Sequence, residues 1–154
     1  MSLISLKDIN QLLNTYRREN FKLVFTNGCF DLLHKGHIDL LSNAAAFGEK
    51  LFVGLNSDTS VKKLKGKSRP KQNEKTRALK LLELKYVNHV IIFEDLTPQK
   101  LIHAISPDVL VKGGDYKKSE IVGAKHVISS GGIVKIVPLT PGFSTTSIIE
   151  KSSN

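Results

Sequence analysis

The sequence predicts a doubly wound α/β fold in which a five-stranded parallel sheet is covered by helices on both faces. Three observations support this prediction. Short apolar segments alternate with segments of helical periodicity along the chain. The apolar segments are continuous rather than alternating in polarity, as is typical of strands that are buried on both faces. Each cluster of polar residues follows a strand, where ligands bind in sheets of this kind.

The first half of the chain contains three predicted helices and two predicted strands. In the opening helix, Ser5 and Asp8 have the spacing of a capping box. The second helix ends at Gly48, because glycine commonly follows a helix C-terminus. The third begins after Asn73, a preferred N-cap residue. In chain order, these elements are helix 5–20, strand 22–26, helix 36–48, strand 50–56 and helix 73–85.

The second half contains three predicted strands and three predicted helices. Thr97 is the expected N-cap of the first of these helices. Pro98 then occupies its first position, where the missing N–H group costs nothing. The next helix ends before the glycine pair at 131–132. In chain order, these elements are strand 87–93, helix 97–105, strand 108–113, helix 119–130, strand 133–139 and helix 144–152.

The composition is that of an ordinary globular domain. The chain has 154 residues, of which 40% are hydrophobic and 24% are charged. No apolar run approaches the roughly 18 residues that a membrane span needs, and the start lacks a secretory signal. A single cysteine fits a reducing compartment. We therefore expect one cytoplasmic domain, residues 1–154, with an N-terminal helix within 1–20 and a C-terminal helix at 144–152.

Positive charge is concentrated in one segment of the chain. The net charge is +9, and nine of the 23 Lys and Arg residues lie between Lys62 and Lys80, with Glu74 as the one acid among them. Such a segment suits nucleic acid, anionic lipid or a substrate with several phosphates, whereas a solvated surface loop is the alternative. It contains no aromatic residue on which bases could stack, which argues against a nucleic-acid-binding module.

Two histidines, His34 and His37, lie three residues apart where a strand gives way to a helix, so their rings can face the same side. A zinc site would add Cys29, but no fourth soft ligand is evident. A structural role in the turn is a second interpretation. The third, which the pattern favours, is anion binding by two imidazole N–H donors beside a helix N-terminus, with Gly36 allowing a close approach.

Two more polar clusters follow the fourth and fifth predicted strands. In KGGDY, residues 112–116, the glycines bring the backbone close to a ligand and Asp115 can bond hydroxyl groups, although a tight turn would use the same residues. In STT, residues 144–146, hydroxyls and free backbone N–H groups can hold a second anion. Helix capping alone is the alternative for that cluster.

Together these motifs resemble the nucleotidylyltransferase superfamily that is marked by the motif HxGH, here HKGH. The segments TNGCFDLLHKGH, NSDTSVKKLKGKSRP, DVLVKGGDY and STTSII are similar to the adenylyltransferase domains of ADP-heptose synthesis, from about Phe21 to Lys151. The resemblance implies a Rossmann-like sheet of order 3-2-1-4-5. It also implies an enzyme that transfers AMP from ATP to D-glycero-β-D-manno-heptose 1-phosphate and releases pyrophosphate.

A sister enzyme on the same scaffold is the alternative, with glycerol 3-phosphate or another phosphorylated acceptor and CTP or ATP as substrates. The related cytidylyltransferases carry an arginine just before the STT motif. Leu139 stands in the matching place here, which weakens the cytidylyl interpretation.

The resemblance also implies the residues of the site. An acceptor phosphate is already ionised, so the site needs hydrogen-bond donors and cations rather than a general base. The implied catalytic residues are His34, His37 and Lys65. Those implied to bind ATP and its phosphates are Thr26, Asn27, Gly28, Phe30, Asp31, Gly36, Lys62, Lys63, Gly113, Ser144, Thr145 and Thr146. Those implied to bind the acceptor are Asn27, Asp58, Arg77, Asp115 and Tyr116.

Cofactor and partners follow from the same resemblance. Mg²⁺ would bind with ATP through phosphate oxygens, without a metal site built by the protein. The expected partners are ATP and a sugar 1-phosphate, with a homodimer as a further candidate and neither nucleic acid nor a membrane. Residues 59–72 are expected to be mobile until ATP binds. We also expect a separate sugar kinase and phosphatase to supply the substrate, for lipopolysaccharide and other surface glycans.

Overall fold

Parallel strands form one sheet in the computed structural model, which describes residues 2–114 and 116–141. The strands are β1 (Ser2–Leu3), β2 (Leu23–Gly28), β3 (Lys50–Asn56), β4 (His89–Phe93), β5 (Val109–Gly113) and β6 (Ile133–Val137). Their order across the sheet is β1-β4-β3-β2-β5-β6. The predicted α/β class and parallel sheet are therefore confirmed.

The predicted count of five strands, and with it the numbered order 3-2-1-4-5, is wrong. The additional strand is β1, which lies at the sheet edge beside β4. Its pairing rests on hydrogen bonds from Ser2 N to Asn88 O and from Ile4 N to Val90 O, both 2.9 Å long. Two residues are too few for an apolar pattern to reveal a strand. The strands that the sequence does predict are neighbours in the order β4-β3-β2-β5-β6.

The helices lie between the strands. Among the differences from the prediction, the helix Asp58–Lys65 was not predicted, and the N-cap of the helix Gln99–Ile105 is Pro98 rather than Thr97. The prediction of Asn73 as an N-cap is confirmed, since its Oδ1 accepts a hydrogen bond from Thr76 N at 2.8 Å. The single helix predicted at 119–130 is instead a short 3₁₀ helix and α6, separated by Gly123 at φ +84°. The helices are α1 (Ile9–Arg18), α2 (Lys35–Ala45), α3 (Asp58–Lys65), α4 (Glu74–Leu82), α5 (Gln99–Ile105), 3₁₀ helix (Lys118–Glu120) and α6 (Ala124–Ser129).

Alternate residues of the strands face two separate apolar layers. Phe25, Phe52 and Leu110 pack in one layer with α1, α5 and α6. Val24 and Val53 pack in the other layer with α2 and α4. Both faces of the sheet are thereby covered, which leaves the carboxyl ends of the strands as the open edge where a ligand can bind. In the part of the chain that the structure describes, every helix is too short to span a bilayer.

A buried histidine links the sheet to the N-terminal segment. The ring of His89 is 5% exposed. It is hydrogen-bonded to Tyr16 Oη through Nε2 at 2.7 Å and to Ser2 Oγ through Nδ1 at 3.0 Å. Burial, with the charge of Lys50 nearby, lowers the pKa of His89 to about 4. The ring is therefore neutral at physiological pH.

This low pKa predicts that the free energy of unfolding falls as the pH drops from about 6.5 to 4. In that window the unfolded chain binds a proton at His89 and the folded chain does not, so stability rises with pH. The contribution of this group is up to about 1.4 kcal/mol per pH unit. Urea denaturation at several pH values, on wild type and His89→Gln, measures it. The variant should show the shallower pH dependence; equal slopes would contradict the assignment.

Candidate active site

The turn between β2 and α2 holds an unusual backbone. Phe30 and Leu32 have φ angles of +46° and +56°, in the left-handed region that non-glycine residues rarely adopt. Clusters of such residues are typical of functional sites, where the surrounding structure enforces the strain. Phe30 is also buried and meets the ring of His37 edge-on, with centroids 5.4 Å apart. Although Phe30 is predicted to contact ATP, the structure places its ring beneath His37.

The two histidines form a reciprocal cap at the start of α2. Nδ1 of His34 accepts a hydrogen bond from Gly36 N at 3.1 Å, and Nδ1 of His37 accepts one from His34 N at 3.3 Å. The rings are stacked, with centroids 3.8 Å apart and planes inclined by 22°. Because each Nδ1 is an acceptor, the proton of each neutral ring lies on Nε2.

Both rings are held in the neutral form. Burial, together with the positive charge of Lys65 and the neighbouring ring, lowers the pKa of His37 to about 3. Burial also lowers the pKa of His34. At neutral pH the pair thus provides two Nε2–H donors beside a helix N-terminus, whose dipole favours anions. The structural and anion-binding interpretations are compatible, because they use different nitrogens of the same rings.

Asp31 anchors the chain that follows α3. Its carboxylate is 1% exposed. It accepts hydrogen bonds from Arg69 Nε at 3.1 Å, Lys71 N at 2.7 Å and Gln72 N at 3.0 Å. Burial would raise the pKa of Asp31, but these donors outweigh it and hold the pKa below its usual value. Asp31 is predicted to contact ATP, yet the structure gives both carboxylate oxygens protein donors.

The basic segment is more ordered than the sequence predicts. Residues 59–72 are expected to be mobile until ATP binds, but α3 covers the first half of them, with Ser57 as its N-cap and Val61 fully buried. The second half is fixed to Asp31. The lysine-rich composition hides this helix, since its buried contacts come from few residues. The segment therefore has packing contacts that its composition does not indicate, and the expected change in mobility on ATP binding stays a prediction.

Arg77 is predicted to contact the acceptor, but the structure engages its guanidinium with protein groups, and the contact stays a prediction. Its side chain is fully buried. It donates from Nε to Gln72 O at 2.9 Å, and from Nη1 to Cys29 O and Asn56 O at 2.8 Å each. Its Nη2 donates to Asp58 Oδ1 at 2.8 Å. This guanidinium ties together the active-site turn, β3, α3 and α4.

Two further residues with predicted ligand contacts are ion-paired or buried in the structure. Asp58, predicted to bind the acceptor, has one carboxylate oxygen in the ion pair with Arg77, which fixes the start of α3. Thr26, predicted to bind ATP, is fully buried within the sheet, and its Oγ1 has no hydrogen-bond partner among the described residues. Strand β2 turns this side chain towards the apolar layer that contains Val24, and the contact of Thr26 with ATP stays a prediction.

A cavity of about 560 Å³ opens at the carboxyl ends of β2, β3 and β5. We call it the cleft. The predicted residues Asn27, Gly28, Lys65 and Tyr116 line it, together with residues that the sequence analysis missed. The missed lining residues are Cys29, Asn56, Leu64, Leu96, Thr97, Pro98, Lys112, Glu120, Ile121 and Val122. Several of them are apolar, and an apolar residue type does not distinguish the wall of a cleft from the core, so the sequence carried no specific signal for them.

Among the lysines of α3, Lys65 is the one that lines the cleft. Its positive charge helps to lower the pKa of His37. Burial raises the pKa of the Cys29 thiol, and the charge of Lys65 offsets part of that rise. The charge of Lys65 thus reaches His37, although His34 and His37 are not among the described residues that line the cleft. Lys62 and Lys63, predicted to bind phosphate, are exposed and do not line the cleft.

Two of the remaining predicted residues, Gly36 and Gly113, are described by the structure, whereas the others are not. Gly36 is buried at the first turn of α2. At Gly113, a Cβ atom would lie 3.3 to 3.4 Å from Leu139 and Leu40, so glycine permits close packing there. The predicted contacts of Asp115 and of Ser144, Thr145 and Thr146 lie outside the described residues, as does the helix at 144–152.

No group of three or more His, Cys, Asp and Glu side chains within residues 2–114 and 116–141 is arranged to hold a metal ion. Glu120 is the acidic residue among the described residues that line the cleft. Two asparagine amides and two lysine ammonium groups line the cleft beside apolar side chains such as Leu64, Leu96 and Ile121. Such a donor set suits phosphate oxygens rather than a bare cation.

Comparisons with known proteins agree on one family. Residues 25–151 match the family described as Cytidylyltransferase-like. The chain is 53% identical over 148 residues to "Bifunctional protein HldE" of Koribacter versatilis (strain Ellin345), covering 96% of this chain and 30% of that protein. It is 50% identical over 145 residues to the protein of the same name from Rhodopseudomonas palustris (strain HaA2), covering 94% and 30%. The chain thus spans about a third of the length of these relatives.

Solved structures extend the comparison. The lipopolysaccharide core biosynthesis protein from Thermoplasma volcanium GSS1 is 29% identical, with a TM-score of 0.63, over 78% of this chain and 97% of that one. Pantoate-beta-alanine ligase from Francisella tularensis has a TM-score of 0.65 over 99% of this chain and 77% of that one. At 14% identity, this second likeness shows the fold alone.

Proposed function

Because the chain belongs to the cytidylyltransferase-like family and is a nucleotidyltransferase, we propose that it transfers AMP from ATP to a heptose 1-phosphate. The products are ADP-heptose and pyrophosphate. The observation that carries this proposal is the stacked pair His34 and His37, which presents two neutral Nε2–H donors at the N-terminus of α2. Identity near 50% to the HldE proteins, over almost the whole chain, supports the choice of substrates.

The residues fit a direct displacement at the α-phosphorus of ATP. An oxygen of the acceptor phosphate forms the new P–O bond, while the bond to the bridging oxygen breaks and its electron pair leaves with pyrophosphate. No proton has to be removed from the nucleophile, so neutral histidines serve as donors rather than bases. Preorganised donors lower the barrier because they meet charge that develops in the transition state.

His34, His37 and Lys65 divide this task. The two Nε2–H groups donate to oxygens of the α and β phosphates, which the N-terminus of α2 also attracts. Lys65 approaches from α3 and adds a full positive charge. Ser144, Thr145 and Thr146 are proposed to hold the β and γ phosphates.

Mg²⁺ is proposed as the cofactor. The described part of the cleft offers it only the Glu120 carboxylate, so the ion would be held mainly by phosphate oxygens, as Mg²⁺ often is. When bound, it neutralises charge on the β and γ phosphates and makes pyrophosphate a better leaving group. The proposed partners are ATP and the sugar 1-phosphate, without nucleic acid, in a cytoplasmic enzyme that could form a homodimer.

A substrate matrix tests this proposal. Pyrophosphate release should be measured for ATP, CTP, GTP and UTP, each with heptose 1-phosphate, free heptose, glucose 1-phosphate and glycerol 3-phosphate. We expect ATP with heptose 1-phosphate to be the best pair, because the acceptor must bring an ionised phosphate. If CTP with glycerol 3-phosphate were best, the heptose proposal would be wrong, although the chemistry at the histidines would stand.

A further inference from the structure

Lys112 is a partly buried lysine that the proposed transfer of AMP has not used. It lies in β5, one position before Gly113, and lines the cleft beside Asn27 and Cys29. Its Nζ is 5.4 Å from the ring centroid of Tyr116. No carboxylate lies within ion-pair distance of it among residues 2–114 and 116–141. A half-buried ammonium without a counter-charge is costly unless a ligand supplies the charge.

The sheet places Lys112 and the histidines on opposite sides of the active-site turn. Strand β2 pairs with β5 so that Phe25 is opposite Leu110, and continuing this register brings Asn27 opposite Lys112. Side chains alternate along a strand, so these residues share the face that carries the layer of Phe25 and Leu110. The helix α2, which carries His34 and His37, packs on the other face with the layer of Val24.

The two lysines that line the cleft differ in the groups whose pKa values they influence. The Lys65 charge affects both His37 and Cys29. Lys112 interacts with Cys29, while burial lowers its own pKa. The cleft is therefore lined by two lysines with different neighbours: Lys65, whose charge reaches His37, and Lys112, which lines the cleft with Asn27 and Tyr116. A displacement at phosphorus needs such a division, since the nucleophile approaches opposite the leaving group.

We propose that Lys112 is the residue that binds the phosphate of the acceptor, on the face of the sheet opposite the histidine pair. This inference rests on the proposed function and deepens it, because it names the side chain that selects a phosphorylated acceptor. Asn27 and Tyr116 then border the organic part of that acceptor, whereas the triphosphate of ATP lies beside His34, His37 and Lys65.

The test compares Lys112→Met with Lys135→Met. Lys135 is a matched control, because it lies in the neighbouring strand β6 and its Nζ is 5.9 Å from the Phe47 ring, but it does not line the cleft. Steady-state kinetics give kcat/KM for the acceptor, and equilibrium titration gives the Kd of ATP. The acceptor used is whichever phosphorylated compound is best for wild type in the substrate matrix.

For Lys112→Met we expect kcat/KM for the acceptor to fall roughly 10- to 100-fold, the usual worth of a hydrogen bond to a charged group. The Kd of ATP should stay within about twofold, and Lys112→Arg should recover part of the loss. Lys135→Met should behave as wild type. As a second measure, the unphosphorylated acceptor should inhibit wild type and Lys112→Met equally, because the lost contact is to the phosphate.

Two outcomes would overturn this assignment. One is a Lys112→Met variant whose affinity for ATP falls while kcat/KM for the acceptor is unchanged. The other is a variant that loses affinity for the unphosphorylated and phosphorylated acceptor alike. Failure of the heptose proposal would be a separate result, because the wild-type enzyme itself would then prefer another acceptor. The comparison of Lys112→Met with Lys135→Met would be made with that acceptor.

Discussion

Replacing His34 with asparagine should lower kcat by roughly 10²-fold while the folded state keeps nearly all of its stability. Asparagine is among the best N-cap residues, and its Oδ1 can replace Nδ1 as the acceptor for Gly36 N. It has no group at the position of Nε2, so the donor to the phosphate is lost. Loss of one preorganised donor typically costs 10²- to 10³-fold.

The measurements are pyrophosphate release and urea denaturation on the same preparations. Glutamine at position 34 is the converse variant, because its amide reaches towards the Nε2 position but caps the helix poorly. It should keep more activity than asparagine and lose more stability. His126→Asn is the matched control, since His126 stacks on His103 at a centroid distance of 4.1 Å outside the cleft. Wild-type turnover in His34→Asn would show that Nε2 takes no part in the reaction.

Replacing Arg77 with leucine should lower the free energy of unfolding by about 3–5 kcal/mol, the largest stability effect expected in this chain. The substitution leaves Asp58 without its cation. It also leaves the carbonyl groups of Cys29, Asn56 and Gln72 without the donors that now reach them. Unpaired buried polar groups each cost roughly 1–3 kcal/mol.

Urea denaturation measures this effect, with Arg18→Leu as the control. Arg18 is exposed in the last turn of α1, so its replacement should change stability by less than about 0.5 kcal/mol. A change of that small size in Arg77→Leu would contradict the structural role given to the guanidinium. It would instead favour the ligand contact that the sequence predicts for Arg77.

Much of the sheet could be predicted because its strands are buried on both faces. Continuous apolar runs such as residues 50–56 leave little ambiguity, and β3 covers the same residues. The strand β1 could not be found in this way, since two residues carry no periodicity. The helix α3 was hidden because only Ser60 and Val61 within it are buried, while lysines fill its exposed face.

The site could be predicted in part. Two histidines three residues apart at the start of a helix indicate shared function, and the structure stacks their rings. The sequence could not show that both rings are neutral, because this depends on burial and on backbone donors. Nor could it separate Arg77 from Lys65: both are cations of the basic segment, and only the packing buries one and turns the other into the cleft.

Lys112 lines the cleft, although the sequence analysis did not predict it as a site residue. It stands in the KGGDY motif, where the glycines and Asp115 drew the interpretation towards backbone and carboxylate contacts. A lysine at the end of an apolar strand need not bind a ligand, because its long side chain often extends into solvent there. Only the structure shows that this side chain lines the cleft together with Asn27.

Labelled ATP tests the central claim, transfer of AMP to a sugar 1-phosphate, most directly. The enzyme should be incubated with heptose 1-phosphate and ATP that carries ³²P at the α position, and in a parallel reaction at the γ position. The account predicts that α label enters a sugar nucleotide that co-migrates with ADP-heptose, while γ label leaves in pyrophosphate. Label passing from the γ position to the sugar would mean phosphoryl transfer by a kinase, and would contradict the account.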